Sequence, residues 1–301
     1  MSLPTTAESA YGLDEALPSI DWSVAPEGTR AYRFAAPSGS LAAWDLGDPE
    51  GERVVMVPGI TGSKEDFALL APILASEGYF VQSYDLPGQY ESADAGPAGA
   101  DGWSYELFVD DMIAFLEAGS TPAHLLGFSF AGIVAQIVTV QRPELVRTLT
   151  LLATPPLAGQ VFGGIRSVGW IARLPFFTKH FFGGVMIWNV RTNFSKVTPE
   201  RLAFANARLD HTRRESVDGI VGLMMKTPNL YRPLRESAIP KLVVAGEHDL
   251  WRAKLYRRFA GRIGASVAVY ATGHSPCETT PHQLALDMVQ LFRTSEKLSA
   301  R

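Results

Sequence analysis

The chain has a single cysteine, Cys277. An intrachain disulfide is therefore excluded, and a thiolate metal site would have no second ligand of its kind. This suits a reducing compartment, and a cytoplasmic location is expected. Basic excess is also lacking. The 27 Lys and Arg residues face 31 Asp and Glu residues, a formal net charge of -4. No surplus of positive charge is available for phosphate contacts, so no nucleic-acid partner is expected. Long apolar runs are missing too. No stretch of about 18 residues is apolar and free of charge, so no membrane span is expected. The first basic side chain, Arg30, comes after Glu8, Asp14 and Glu15, so the positive start of a secretory signal is absent. There is no internal repeat and no low-complexity tract. Nothing implies a metal or organic cofactor, and nothing fixes an oligomeric state.

What is present is an ordinary globular composition, 47% hydrophobic and 19% charged over 301 residues. Short apolar runs recur at Val54 to Val57, Phe80 to Tyr84, His124 to Leu126, Leu149 to Leu152, Leu242 to Ala245 and Val267 to Tyr270. Runs of this length suit strands buried on both faces of a parallel sheet. Helical patterns lie between them. Ser63 caps an expected helix through Phe67, Leu69, Leu70 and Ile73, with Asp66 third in a capping box. Ser104 caps the next, through Leu107, Met112 and Phe115. A third runs from Phe130 through Val134 and Ile137 and ends before Pro143. The alternation predicts an α/β fold, a mostly parallel twisted sheet with helices on both faces. Turn signals at Pro37-Ser38-Gly39 and Gly47-Asp48-Pro49 add an antiparallel hairpin at the sheet edge.

The strand pattern stops between about Pro155 and Pro233. That stretch is helical in character and rich in aromatics: Phe162, Trp170, Phe176, Phe177, Phe181, Phe182, Trp188 and Phe194. The expected organisation is a core of residues 1–154 and 234–301 with a helical cap inserted at 155–233. The aromatics suit the cap's own core, a lid lining an apolar pocket, or both. Arg166, Arg173 and Lys179 weakly allow contact with a membrane surface.

Leu125-Leu126-Gly127-Phe128-Ser129-Phe130-Ala131-Gly132 reads as a strand, a tight turn and a helix start. It matches the nucleophile elbow Gly-x-Ser-x-Gly, with Ala131 in place of the last Gly. As five letters the pattern is no more than a Gly/Ser turn. After a buried strand and before an amphipathic helix it points to an exposed serine nucleophile, Ser129, backed by a helix N-terminus that favours negative charge.

With this elbow in place, the chain resembles the α/β-hydrolase superfamily, in the serine hydrolase branch with a helical cap, over about residues 30 to 296. Four further segments carry the resemblance in the expected order. Val57-Pro58-Gly59-Ile60-Thr61-Gly62-Ser63 resembles the family's His-Gly-x-x-Gly oxyanion loop, with Pro58 in the His position. The implied oxyanion donors are the backbone N–H groups of Ile60 and Phe130. Asp85-Leu86-Pro87-Gly88-Gln89-Tyr90-Glu91-Ser92 resembles the Asp-x-Pro-Gly-x-Gly-x-Ser loop, with Tyr90 where Gly is usual, and its role is expected to be structural. Leu242 to Asp249 ends a strand with Asp249 where the triad acid sits, while Glu247 and His248 are close rivals. Ala271-Thr272-Gly273-His274-Ser275-Pro276 follows the last strand as the catalytic histidine does. The resemblance thus implies a triad of Ser129, Asp249 and His274. His124 falls inside a strand, His180 and His211 in the cap, and His282 at the start of the last helix.

The implied activity is hydrolysis of a small apolar carboxylic ester or similar acyl substrate. Carbon–carbon bond hydrolysis, perhydrolase chemistry and ligand binding without catalysis stay open on this fold. Three further features are read as structural: Cys277 as a buried residue, Asp110 and Asp111 as a solvated helix face, and Gly163-Gly164 and Gly183-Gly184 as cap turns.

Overall fold

The computed structural model describes residues 3–99, 101–165, 184 and 197–299. After a short helix α1 (Ala7–Glu15), the chain enters the hairpin β1 (Arg30–Ala36) and β2 (Gly39–Leu46). Then come β3 (Arg53–Val57), α2 (Leu70–Ser76), β4 (Phe80–Tyr84), α3 (Tyr105–Glu117), β5 (Ala123–Phe128), α4 (Phe130–Gln141) and β6 (Val146–Leu152). Further on lie α5 (Pro199–His211), α6 (Arg214–Met224), α7 (Tyr231–Glu236), β7 (Lys241–Gly246), α8 (Ala253–Ile263), β8 (Ser266–Tyr270), α9 (Pro276–Thr279) and α10 (Pro281–Ser299).

Eight strands form one sheet in the order β1-β2-β4-β3-β5-β6-β7-β8. β1 pairs antiparallel with β2, and β2 with β4, while the other pairs are parallel. The strand period of two decides what each face buries. Val55, Val57, Leu125, Leu149, Leu151 and Val243 point into a core shared with α3, α4 and α8. Val54, Met56, Leu126, Leu152, Leu242 and Val244 point into a second core closed by α2 and α10. Both faces are covered over the central strands, as their continuous apolar runs required; β8, at the sheet edge, departs from this expectation, with Val267 39% exposed.

Two expectations are corrected. The helix capped by Ser63 does not run on to Ile73. It is a 3₁₀ turn, Lys64–Phe67, closed by the expected Ser63/Asp66 capping box and separate from α2. Pro72 is the reason. In a helix continuous from Lys64 it would sit in the interior, with no N–H to give and a clash against the preceding turn. In α2 it falls in the first turn, where neither matters. Asp111 is not on a solvated face. It is 1% exposed, and its carboxylate accepts hydrogen bonds from Ser38 N–H (2.9 Å) and Ser38 Oγ (2.6 Å). Burial pushes its pKa up to about 6 against those bonds. Asp110 is exposed as expected.

Cys277 is fully buried, and burial holds its thiol well above its ordinary pKa. Phe162 is buried against the core. The other aromatics of the insertion, Trp170, Phe176, Phe177, Phe181, Phe182, Trp188 and Phe194, lie outside the described residues, as do His180, Arg166, Arg173 and Lys179. Among the described residues no helix is long and apolar enough to cross a membrane.

Candidate active site

β5 delivers the serine. Ser129 follows its last residue and precedes the first residue of α4, at φ +52° and ψ -116°. A non-glycine residue holds such a conformation only when its surroundings impose it. The Ser129 N–H is tied to Leu152 O at 2.8 Å, so β6 braces the turn. A Cβ on Gly127 would lie 2.6 Å from both Ala131 O and Gly132 Cα, and one on Gly132 would lie 1.8 Å from Thr154 Oγ1. Ala131, the departure from the motif, is fully buried. The tight approach of helix to strands falls on Gly127 and Gly132, which leaves room for a methyl group between them.

Asp249 stands three residues past β7, and His274 four past β8. His274 Nδ1 lies 2.6 Å from Asp249 Oδ1, and His274 Nε2 lies 3.3 Å from Ser129 Oγ. The Asp249 side chain is fully buried. It also accepts from the Tyr256 hydroxyl, 2.8 Å from Oδ2, and from Leu250 N–H. The rivals Glu247 and His248 are exposed, and their backbone N–H groups bond Tyr270 O and Thr272 O. Desolvation opposes a charge on His274, but the Asp249 charge and hydrogen bond outweigh it and raise the imidazole above its ordinary pKa. Phe128 and Trp251 flank the imidazole, with ring centroids 5.4 and 6.3 Å away.

The Gly59–Ser63 loop packs over the elbow. A Cβ on Gly59 would stand 2.9 Å from Ser129 Cβ. Thr61 takes a positive φ of +58°, and its N–H donates to Gln89 Oε1 at 2.8 Å. Phe130 opens α4, so its N–H has no partner within the helix. The Asp85 loop supports this loop from below. Asp85 accepts from Lys64 N–H at 2.7 Å, and the Lys64 ammonium meets Asp85, Glu65 and Glu91 at 3.3, 2.8 and 2.6 Å. Burial pushes the Asp85 carboxyl up in spite of Lys64. Tyr90, at the usual Gly position, has φ +41°. Its N–H bonds Thr212 Oγ1 at 3.1 Å and its ring meets Phe204 and His211, so the strained residue grips α5.

A buried ionic cluster was not anticipated. Arg201 clasps Glu278 with two nitrogens (2.8 and 2.6 Å) and reaches Asp66 at 2.7 Å, and Arg208 reaches the same Asp66 oxygen at 2.6 Å. Burial alone would raise the Asp66 carboxyl, but the two guanidinium groups hold it below its ordinary pKa. The seven-residue spacing of Arg201 and Arg208 was the available signal, since it sets both on one helix face. Among the described residues no group of three or more His, Cys, Asp or Glu side chains is placed to hold a metal ion.

Comparison with known proteins bears on the family and the fold. The chain is 27% identical over 202 residues to the pimeloyl-[acyl-carrier protein] methyl ester esterase of Neisseria meningitidis, covering 65% of this chain and 54% of the relative. It is 31% identical over 144 residues to the dihydrolipoyllysine-residue acetyltransferase component of the acetoin cleaving system of Pseudomonas putida, covering 47% and 37%. The chain thus spans about half or less of the length of these relatives. The solved haloalkane dehalogenase DbeA from Bradyrhizobium elkani USDA94 superposes with a TM-score of 0.72 at 18% identity, over 90% of this chain and 99% of that one, a likeness of fold. The alpha/beta hydrolase family as a whole matches residues 54–287. With that span covering most of the chain, and with the sheet order above, the chain belongs to the alpha/beta hydrolase family.

Proposed function

We propose that the protein is a serine hydrolase that cleaves a small apolar carboxylic ester through Ser129, His274 and Asp249. The observation that carries this reading is the His274 imidazole, bonded on one nitrogen to a buried carboxylate and facing Ser129 Oγ with the other. A serine hydroxyl is a weak nucleophile until such a base takes its proton. Ser129 Oγ attacks the acyl carbon and its proton passes to His274 Nε2. Asp249 keeps Nδ1 protonated and offsets the imidazolium charge. The tetrahedral oxyanion forms within reach of the Ile60 and Phe130 N–H groups, at the positive end of α4, where each donor typically lowers the barrier by about 3 kcal/mol. Collapse expels the alcohol, which takes the proton from His274. Water then gives a proton to His274 and attacks the acyl-enzyme, releasing the acid and restoring Ser129.

The substrate class rests on the aromatic surroundings of His274 and on a relative that is named an ester esterase. The insertion, residues 155–233, is read as a cap over the sheet's carboxyl edge. We place the protein in a reducing compartment such as the cytoplasm, on its single, buried cysteine. A fluorophosphonate probe tests the chemistry: it is expected to label the wild type at Ser129 and to leave Ser129→Ala unlabelled. A wild-type protein that resists labelling overturns the reading. p-Nitrophenyl esters of increasing acyl length test the pocket. Each buried methylene is expected to add about 0.8 kcal/mol of binding until the pocket is full, and a preference for anionic esters would contradict an apolar site.

A further inference from the structure

We propose that Gln89 is a positioning residue for the oxyanion loop and couples that loop to α6 of the insertion through Ser216. The inference rests on the serine-hydrolase reading above. Residues Gly59 to Gly62 form a four-residue turn closed by Gly62 N–H to Gly59 O at 3.0 Å. Its third residue, Thr61, has φ +58°. Turns with positive φ at that place normally use Gly or Asn there, because a β-branched side chain clashes with the backbone. The turn with negative φ at the same place differs by a rotation of the Ile60–Thr61 peptide. Thr61 left to itself favours that alternative.

The rotating peptide is the one that carries the Thr61 N–H, and Gln89 Oε1 accepts that hydrogen at 2.8 Å. The bond therefore selects one of the two turns. It also fixes ψ of Ile60, and with it the direction of the Ile60 carbonyl beside the Ile60 N–H that the serine-hydrolase reading makes one of the two oxyanion donors. The Gln89 amide nitrogen is engaged as well. Its Nε2 donates to Ser216 Oγ at 2.6 Å, and Ser216 Oγ donates to Pro87 O at 3.1 Å. Gln89 and Ser216 are fully buried and Thr61 is 7% exposed, so water does not offer substitute partners. Each donor in this relay has one acceptor, and reversing the amide would set two donors face to face at Thr61. Ser216 belongs to α6, in the insertion, whereas Gln89 and Thr61 belong to the core. The seat of α6 is thereby linked to the Ile60–Thr61 peptide through two hydrogen bonds, while the third holds Ser216 to Pro87 of the core.

Labelling of Ser129 by a fluorophosphonate reads this arrangement directly, because the attack on phosphorus develops charge on the same oxygen position and needs no knowledge of the natural ester. Gln89→Met, close in size but without acceptor or donor, is expected to slow labelling about tenfold or more, short of the 10²–10³ that loss of a whole donor costs. KM for a p-nitrophenyl ester is expected to stay within about twofold, since the ground state does not use the oxyanion donor. Gln89→Glu keeps the oxygen that receives Thr61 N–H and is expected to recover most of the rate. Ser216→Ala is expected to slow labelling by a smaller factor, and its effect should not multiply with that of Gln89→Met. If Gln89→Met does not fold, judged by thermal unfolding, Ser216→Ala carries the test. A wild-type labelling rate in whichever of these variants folds overturns the inference, as does a Gln89→Glu protein as slow as Gln89→Met. A wild-type protein that is not labelled at all overturns the serine-hydrolase reading, and this inference with it.

Discussion

Gly132→Ala puts the geometry of the elbow to the test. The added methyl group would stand 1.8 Å from Thr154 Oγ1 and 2.8 Å from Thr154 Cβ and Cγ2. Thr154 has nowhere to retreat, being fully buried with its hydroxyl lying 3.4 Å from both Gly127 O and Leu152 O. Overpacking in such a core costs about 1–3 kcal/mol, and a contact this short belongs at the upper end. The position is helical, where alanine is better than glycine by about 1 kcal/mol. The net expectation is a loss of about 2 kcal/mol, a fall in Tm of about 4 °C for a chain of this size. Activity is expected to fall further, because the helix can relieve the contact only by moving Ser129, whose Oγ already lies 3.3 Å from His274 Nε2. Adding Thr154→Ala removes Oγ1 and Cγ2 but leaves Cβ at 2.8 Å, and should restore part of both losses. Scanning calorimetry and p-nitrophenyl ester turnover measure the two effects. A Gly132→Ala protein with wild-type Tm and turnover would show that the tight approach does not hold the elbow.

Asp249→Asn keeps the shape but favours the wrong imidazole tautomer, so kcat is expected to fall by up to about 10⁴-fold, while Glu247→Gln stays near wild type; the reverse order in steady-state kinetics would move the triad acid to Glu247. His274 must be neutral to act as a base and its pKa is raised, so kcat/KM should increase with pH through a midpoint above the ordinary value of about 6.5. A midpoint below that value would contradict the Asp249 pairing. His124 is buried, and desolvation lowers its pKa to about 4 despite Glu52. The unfolded chain takes up this proton near pH 6.5 and the fold only near 4, so between those values His124 removes about 1.4 kcal/mol of stability per unit fall in pH. Urea titrations at pH 7 and pH 5 should show a larger loss for the wild type than for His124→Gln, and equal losses would refute the assignment.

The strands, the edge hairpin and the three catalytic candidates were legible because each left a local mark. A strand buried on both faces is a short apolar run, and all six runs became strands. The elbow is readable because glycine at 127 and 132 answers a contact that no Cβ survives. Ser129, Asp249 and His274 each stand just past the carboxyl end of a strand, and parallel strands bring such ends together. The choice of Asp249 over Glu247 was not local. It depends on which side chain turns inward past β7, and the buried Tyr256 hydroxyl on α8 donates to Asp249 Oδ2. The Ser63 helix was misjudged by weighing its cap and apolar spacing above Pro72. Asp111 was misjudged because its partner, Ser38, lies 73 residues away in the hairpin turn.

The buried charges were illegible for a related reason. Lys64, Asp66, Arg201, Arg208 and Glu278 are residue types that usually face water, and beyond the seven-residue spacing of the two arginines nothing in their neighbours marks them as exceptions. Their burial makes sense only as a set. Two guanidinium groups meet two carboxylates, so the Asp66 cluster is neutral as a whole, and each charge taken from water gains an opposite one within hydrogen-bonding distance. An apolar cluster of the same volume would stabilise the fold at least as well, whereas losing one member of the set costs several kcal/mol. What the charges add is position. Asp66 sits in the 3₁₀ turn that follows the Gly59–Ser63 loop, Glu278 lies four residues past His274, and both are held by the same Arg201 of α5. A slip of α5 by a single residue would swing Arg201 off both carboxylates. α5 is therefore pinned in one register against the Gly59–Phe67 segment and the segment after His274, which an apolar contact, indifferent to small slides, would not achieve.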